Sequence, residues 1–163
     1  MVRLTLIAAA AAAATFTAAP LPAQTTDAAT YVAKAGASDL YERTSSQLVL
    51  QSTRDPKIRD FATMMIRDHQ KSTADVKKAA TTARVRVPAA KLEPMQAQMV
   101  AELRAKTGAE RDRTYVTQQR TAHQRALALH SGYAQGGTAA PLKTVAAATA
   151  PVVQHHIEML QGM

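Results

Sequence analysis

Apolar positions recur every three to four residues through most of the chain, most plainly from Asp55 to Ala83. Projected at ~100° per residue, Ile58, Phe61, Ala62, Met65, His69, Ser72, Thr73, Val76, Ala80 and Ala83 share one stripe, the signature of a helix with one buried face. Asp55 is placed to act as N-cap and Pro56 to take the first helical position, so this helix starts there and runs to about Arg84, short of Pro88. Before it, Ala28 to Thr53 reads as a helix with Ser38, Tyr41, Glu42, Ser45, Leu48 and Val49 on one face. After it, a short helix from about Lys91 to Lys106 carries Leu92, Met95, Met99 and Leu103, and Gly108 breaks it. Ala109 to Gln135 places Asp112, Tyr115, Gln119, Ala122, His123, Ala126, Leu129, His130 and Tyr133 on one side and ends at Gly136-Gly137. A last helix, Ala139 to Gln161, turns Leu142, Val145, Ala146, Thr149, Val153, His156, Ile157 and Leu160 inward, with a kink expected at Pro151.

Four long amphipathic helices and one short connecting helix predict an all-α fold, a four-helix bundle. At ~1.5 Å per residue the connecting helix spans ~24 Å, enough to carry the chain along the bundle between the second and third long helices. That is the crossover of ferritin-like folds; a plain up-down-up-down bundle is the alternative.

Composition narrows the setting. With 163 residues the chain supports one core, and aromatics at 4% leave Ala, Val, Leu, Ile and Met to build it. Residues 1–23 have the layout of a secretory signal: a basic start at Arg3, an apolar run from Leu4 to Ala19, then Pro20-Leu21-Pro22-Ala23. Cleavage is expected after Ala23, with Ala19 as the other site, leaving a bundle domain over 24–163 and an exported protein in the periplasm or at the outer membrane. There is no Cys, which removes disulfides and thiolate metal sites. The formal charge of +8 is spread along the chain and reads as a solvated basic exterior, with weak association to an anionic envelope surface as its functional counterpart. No nucleic-acid motif or aromatic interleaving accompanies it, so nucleic acid is not an expected partner.

The chemistry concentrates in four residues. Each long helix has one ionisable group on or beside its inner face: Glu42, His69, His123 and His156. Counted from the helix ends at ~1.5 Å per residue, they lie within ~6 Å of one level. Three imidazoles and a carboxylate at one depth suit one divalent metal ion, with Zn²⁺, Cu²⁺, Fe²⁺ and Mn²⁺ all admissible. Asp112, Tyr115 and Gln119 are expected to hydrogen-bond the outer ring nitrogens. The bland counterpart is a non-catalytic structural or interaction module whose core histidines bond one another and nearby polar groups. Nitrogens sharing one ion must lie within ~4 Å of each other, and separations beyond ~8 Å would leave only the network. His155 falls on the outer face and His130 near a helix end. The Met95/Met99 and Met159/Met163 pairs read as packing. No phosphate loop, nucleophile motif or catalytic residue can be picked out.

Glu42, Asp55-Pro56 through Phe61-Ala62 to Asp68-His69, Asp112 with Tyr115, His123-Gln124, and Pro151 with His156 follow one another in an order and spacing that resembles an exported bacterial family, domain of unknown function 4142. The resemblance extends over about residues 28–161. It implies a ferritin-like bundle in an exported or outer-membrane setting and no established activity; the function it leaves open is a role in envelope homeostasis or stress. Ferritin-like di-iron sites place a Glu three residues before each histidine. Here those positions are Ile66, Arg120 and Val153, so di-iron chemistry is not implied and any metal site is histidine-rich and mononuclear.

Overall fold

The computed structural model describes residues 26–163; the expected signal segment and the expected cleavage after Ala23 or Ala19 lie outside them. Five helices follow in order: α1 (Ala28–Leu50), α2 (Pro56–Thr82), α3 (Pro94–Arg104), α4 (Gly108–Gly136) and α5 (Ala140–Gln161). Among the described residues there is no strand, and no helix is long and apolar enough to cross a membrane.

Local chemistry sets the helix ends. Asp27 Oδ1 accepts from the N–H groups of Ala29 and Thr30 at 2.9 and 3.0 Å, and Asp55 Oδ1 from those of Lys57 and Ile58 at 2.8 and 3.3 Å. These are the free donors every helix start leaves. α1 stops at Leu50, short of the expected Thr53, because residues 51–53 form the turn into Asp55. α2 stops at Thr82, short of Arg84, because Arg84 takes φ 56°. α3 begins at Pro94, three residues later than expected. Proline takes its first position, and Glu93 is tied to Gln96, whose Oε1 accepts the Glu93 N–H at 2.8 Å.

α1 packs against α2 and α4, and α5 packs against the same two, so the long helices form a square. The direction of each follows from contacts at its ends. The Gly108 N–H donates to Ser52 Oγ at 3.0 Å and Arg111 Nη1 to the Leu48 carbonyl at 2.8 Å, which puts the start of α4 beside the end of α1. At the other end Tyr31 stacks on Tyr133, ring centroids 3.9 Å apart. α2 and α4 therefore run parallel on one diagonal, and the chain crosses between them through an extended stretch and α3, which lies on α1 and α4. This is the crossover bundle.

The apolar core is interrupted. One cluster, around Tyr31, Val76, Ala80, Tyr133 and Leu142, fills one end. A second, around Val49, Phe61, Met65, Leu103, Tyr115 and Leu160, fills the other. Between them lies a buried polar layer that contains Asp39, Glu42, Ser45, His69, Gln119, His123 and His156.

Candidate metal centre

Each long helix brings one of Glu42, His69, His123 and His156 to that layer from the middle of its buried face, and α1 and α4 add Asp39, Ser45 and Gln119. His69, His123 and His156 come from α2, α4 and α5, with ring centroids 5.3–6.0 Å apart. One nitrogen of each ring lies within 4.8 Å of the other two. That is wider than the ~3.3 Å between nitrogens on a tetrahedral ion, so the rings must draw in by about an ångström to share one.

The outer nitrogens are all engaged. His69 Nδ1 meets Asp39 Oδ1 at 2.8 Å, His123 Nδ1 meets the Gln119 carbonyl at 3.0 Å, and His156 Nε2 meets Asp68 Oδ2 at 3.3 Å. A carboxylate or carbonyl oxygen only accepts, so in each case the ring donates. A neutral imidazole that donates from one nitrogen presents a lone pair on the other. The nitrogens so exposed are His69 Nε2, His123 Nε2 and His156 Nδ1, and these are the three that are buried without a partner.

Glu42 stands beside this set and is not one of its ligand atoms. Its Oε1 is 3.7 Å from His123 Nδ1, and neither oxygen has a hydrogen bond. Burial pushes its carboxyl up to about 7 against the pull of His69 and of the nearby Gln119 amide, with Asp39 adding to the rise. Burial, with the neighbouring rings of His69 and His156, pushes His123 down to about 3. Burial and His69 likewise depress His156 to about 4, against the Asp68 carboxylate. His69 goes the other way: burial lowers it, but the Asp39 bond and the charges of Glu42, Asp39 and Asp68 together raise it.

Two of the expected outer partners are elsewhere. Asp112 accepts from Thr53 Oγ1 at 3.0 Å, and Tyr115 pairs with Ser46 Oγ at 2.8 Å. They share the buried face of α4 with His123 but lie ~16 and ~12 Å back along its axis, beyond reach of the ring. Gln119, one turn away, does meet His123, through its carbonyl; its amide donates to Ser45 Oγ at 3.1 Å. The acceptors that pattern reading missed are Asp39 and Asp68. Asp39 sits one turn before Glu42 on the same face, and its second oxygen accepts from Thr73 Oγ1 at 2.9 Å. Asp68 precedes His69 and so points ~100° away from it, toward α5. His155 is exposed, whereas His130 is buried, its Nδ1 3.0 Å from Tyr31 Oη. A surface cavity lies at the α1–α2 turn, lined by Arg54, Lys57, Arg113 and Met163 among others, and none of the three rings lines it.

The fold and its centre define a class: a crossover four-helix bundle, ferritin-like in type, with a histidine layer across its core. The model of a domain of unknown function (DUF4142) matches residues 11–163, and the chain belongs to that family. Two solved structures share the fold. A DUF305 fragment from Deinococcus radiodurans superposes with a TM-score of 0.71 at 14% identity, covering 83% of this chain and 93% of that one. A DUF305 protein from Streptomyces coelicolor, described as secreted, gives 0.64 at 14% identity, covering 82% and 88%. No curated protein matches the sequence.

Proposed function

We propose that this protein binds one divalent transition-metal ion through His69 Nε2, His123 Nε2 and His156 Nδ1, as an exported protein serving envelope homeostasis or stress. The observation that carries the reading is three buried, unpartnered ring nitrogens on histidines that each bring a nitrogen within 4.8 Å of the other two, every ring fixed by an acceptor at its other nitrogen. A single trapped water has two hydrogens to give and would leave the third nitrogen unpaired. A metal ion satisfies all three. Histidines that bind metal are characteristically held from behind in this way by carboxylates or carbonyls. Three imidazoles without a thiolate suit Zn²⁺ and Cu²⁺ better than Fe²⁺ or Mn²⁺, which take more oxygen ligands. Glu42 or a water would complete the shell, and no substrate or reaction follows from the arrangement. Export is supported by the N-terminal layout and by a structural neighbour described as secreted.

The second reading is a hydrogen-bond network with no ion. The raised pKa of His69 favours it, since a protonated His69 held by Asp39 would donate from Nε2 into the cluster. Elemental analysis of untagged protein, with thermal melts in added Zn²⁺, Cu²⁺, Fe²⁺ and Mn²⁺, separates the two. Metal binding predicts near-stoichiometric content and, at a hundredfold excess over Kd, about 2.7 kcal/mol of stabilisation. His69→Ala with His123→Ala should abolish both. A protein with no metal and no shift, or a double variant that keeps its metal, overturns the site.

A further inference from the structure

The three rings are buried, His69 the least so at 5% exposed, as are Glu42 and Phe61 beside them, so an ion needs a way in. The groups that hold the rings differ in this respect. Gln119 is wholly buried. Asp39 lines a groove between α1, α2 and the extended 86–91 segment, but its two oxygens are committed to His69 and Thr73 at 2.8 and 2.9 Å. Asp68 alone reaches water, with 23% of its side chain exposed. It also makes the longest of the three contacts, 3.3 Å to His156. On its other side it pairs with Arg67, which is 73% exposed, at 2.8 Å.

Two neighbouring features point to the same seam between α2 and α5. Ser72, one turn on from Asp68 on the same face of α2, has a buried hydroxyl oxygen with no partner. Pro151, five residues before His156, deprives the Ala147 carbonyl of its helical donor, so α5 is least braced just ahead of that ring.

Resting on the metal reading above, we infer that Asp68 and His156 form the port by which the ion enters the bundle, with Arg67 as its stopper. An arriving cation displaces Arg67 from the Asp68 carboxylate. Asp68 then releases the His156 N–H, and that ring swings aside. The ion passes the Ser72 oxygen to His69 and His123. His156 returns to supply Nδ1, and Asp68 again accepts from Nε2.

Stopped-flow mixing of metal-free protein with Co²⁺, followed by visible absorbance and checked against Zn²⁺ competition, tests this. Asp68→Asn should slow association at least tenfold, because the attracting charge is gone while the acceptor for His156 remains. Arg67→Gln should speed association several-fold. Lys71→Gln, the same change of charge one turn along α2, should leave it unaltered. If Asp68→Asn associates at the wild-type rate and only releases faster, Asp68 merely orients His156 and the port is wrong. If Asp68→Asn does not fold, Arg67→Gln at its exposed position decides: an unchanged rate, or one matched by Lys71→Gln, overturns the port. Wild-type protein that takes up neither ion refutes the metal site itself, a result separate from slow loading of a site that does bind.

Discussion

Glu42 is a fully buried carboxyl with both oxygens unbonded, so its charge, more than its shape, governs the polar layer. In metal-free protein its proton is held to about pH 7 in the folded state, against 4.5 for the free side chain. A folded pKa raised in an acid gives stability that is complete below about 4.5 and lost as pH rises through about 7. Glu42→Gln cannot ionise. It should match wild type in urea denaturation at pH 4.5 and exceed it by roughly 1–3 kcal/mol at pH 8. An equal difference at both values would dismiss ionisation as the cause. The same layer shows what single residues disclose. The three histidines are legible because a titratable ring inside an apolar stripe is conspicuous. Asp39 and Asp68 are not, since a carboxylate on a helix usually faces water and only the packing of α1 on α2, and α2 on α5, shows otherwise. Asp112 and Tyr115 mislead for a related reason: sharing a face with His123 does not bring them to its level.

Among the elements, the end of α2 breaks a conformational rule. The Val85 N–H bonds back to the Ala80 carbonyl at 2.8 Å and that of Arg84 to Thr81 at 3.1 Å, the paired bonds of a Schellman ending. The residue that turns the chain is Arg84 at φ 56°, where glycine is usual. Arg84→Gly should therefore raise stability by about 0.5–1 kcal/mol in a denaturant melt, and a loss would mean the arginine has a partner that offsets its strain. Gly137, after α4, is required for space and not for conformation: its φ is −65°, yet an added Cβ would come within 2.5 Å of Tyr133 Cε1 and of the Tyr133 carbonyl. Tyr133 is buried against Tyr31 and has no room to retreat. Gly137→Ala should cost about 1–3 kcal/mol by the same measurement, and a neutral result would show that the α4–α5 turn gives way. Pattern reading puts the end of α2 two residues late, at about Arg84, because nothing in Thr82-Ala83-Arg84 itself signals a stop. The helix ends at Asp55-Pro56 and Gly136-Gly137 carry their own punctuation.

At the scale of the molecule, the buried histidines and Glu42 oppose one another as pH changes, and the balance can be worked out for the metal-free protein. His123 is depressed to about 3, and His130 and His156 to about 4, each mainly by burial. Between about pH 4.5 and 6 the unfolded chain therefore holds three protons on these rings that the folded chain lacks. Over the same range the folded chain holds one on Glu42 that the unfolded chain has released. The net excess of two lies with the unfolded state, so stability climbs with pH, by the order of 1–3 kcal/mol per unit. Above about 6.5 the unfolded rings are neutral and their contribution is flat. Glu42 and the raised His69 then keep protons that the unfolded chain gives up, and stability declines. Urea melts from pH 4.5 to 8.5 should show a maximum near 6.5. Zn²⁺ changes the shape of that curve as well as its height. An ion held by three lone pairs excludes protons from those nitrogens, so acid competes with it directly. Because folded His123 and His156 are already unprotonated at pH 5, the competing proton is the one on His69, so the stabilisation given by a fixed Zn²⁺ concentration should be largest at pH 7 and above and fall by about 1.4 kcal/mol per unit below about 6.5. If it persisted unchanged at pH 5, the ion would be bound by carboxylates on the surface and not by the rings in the core.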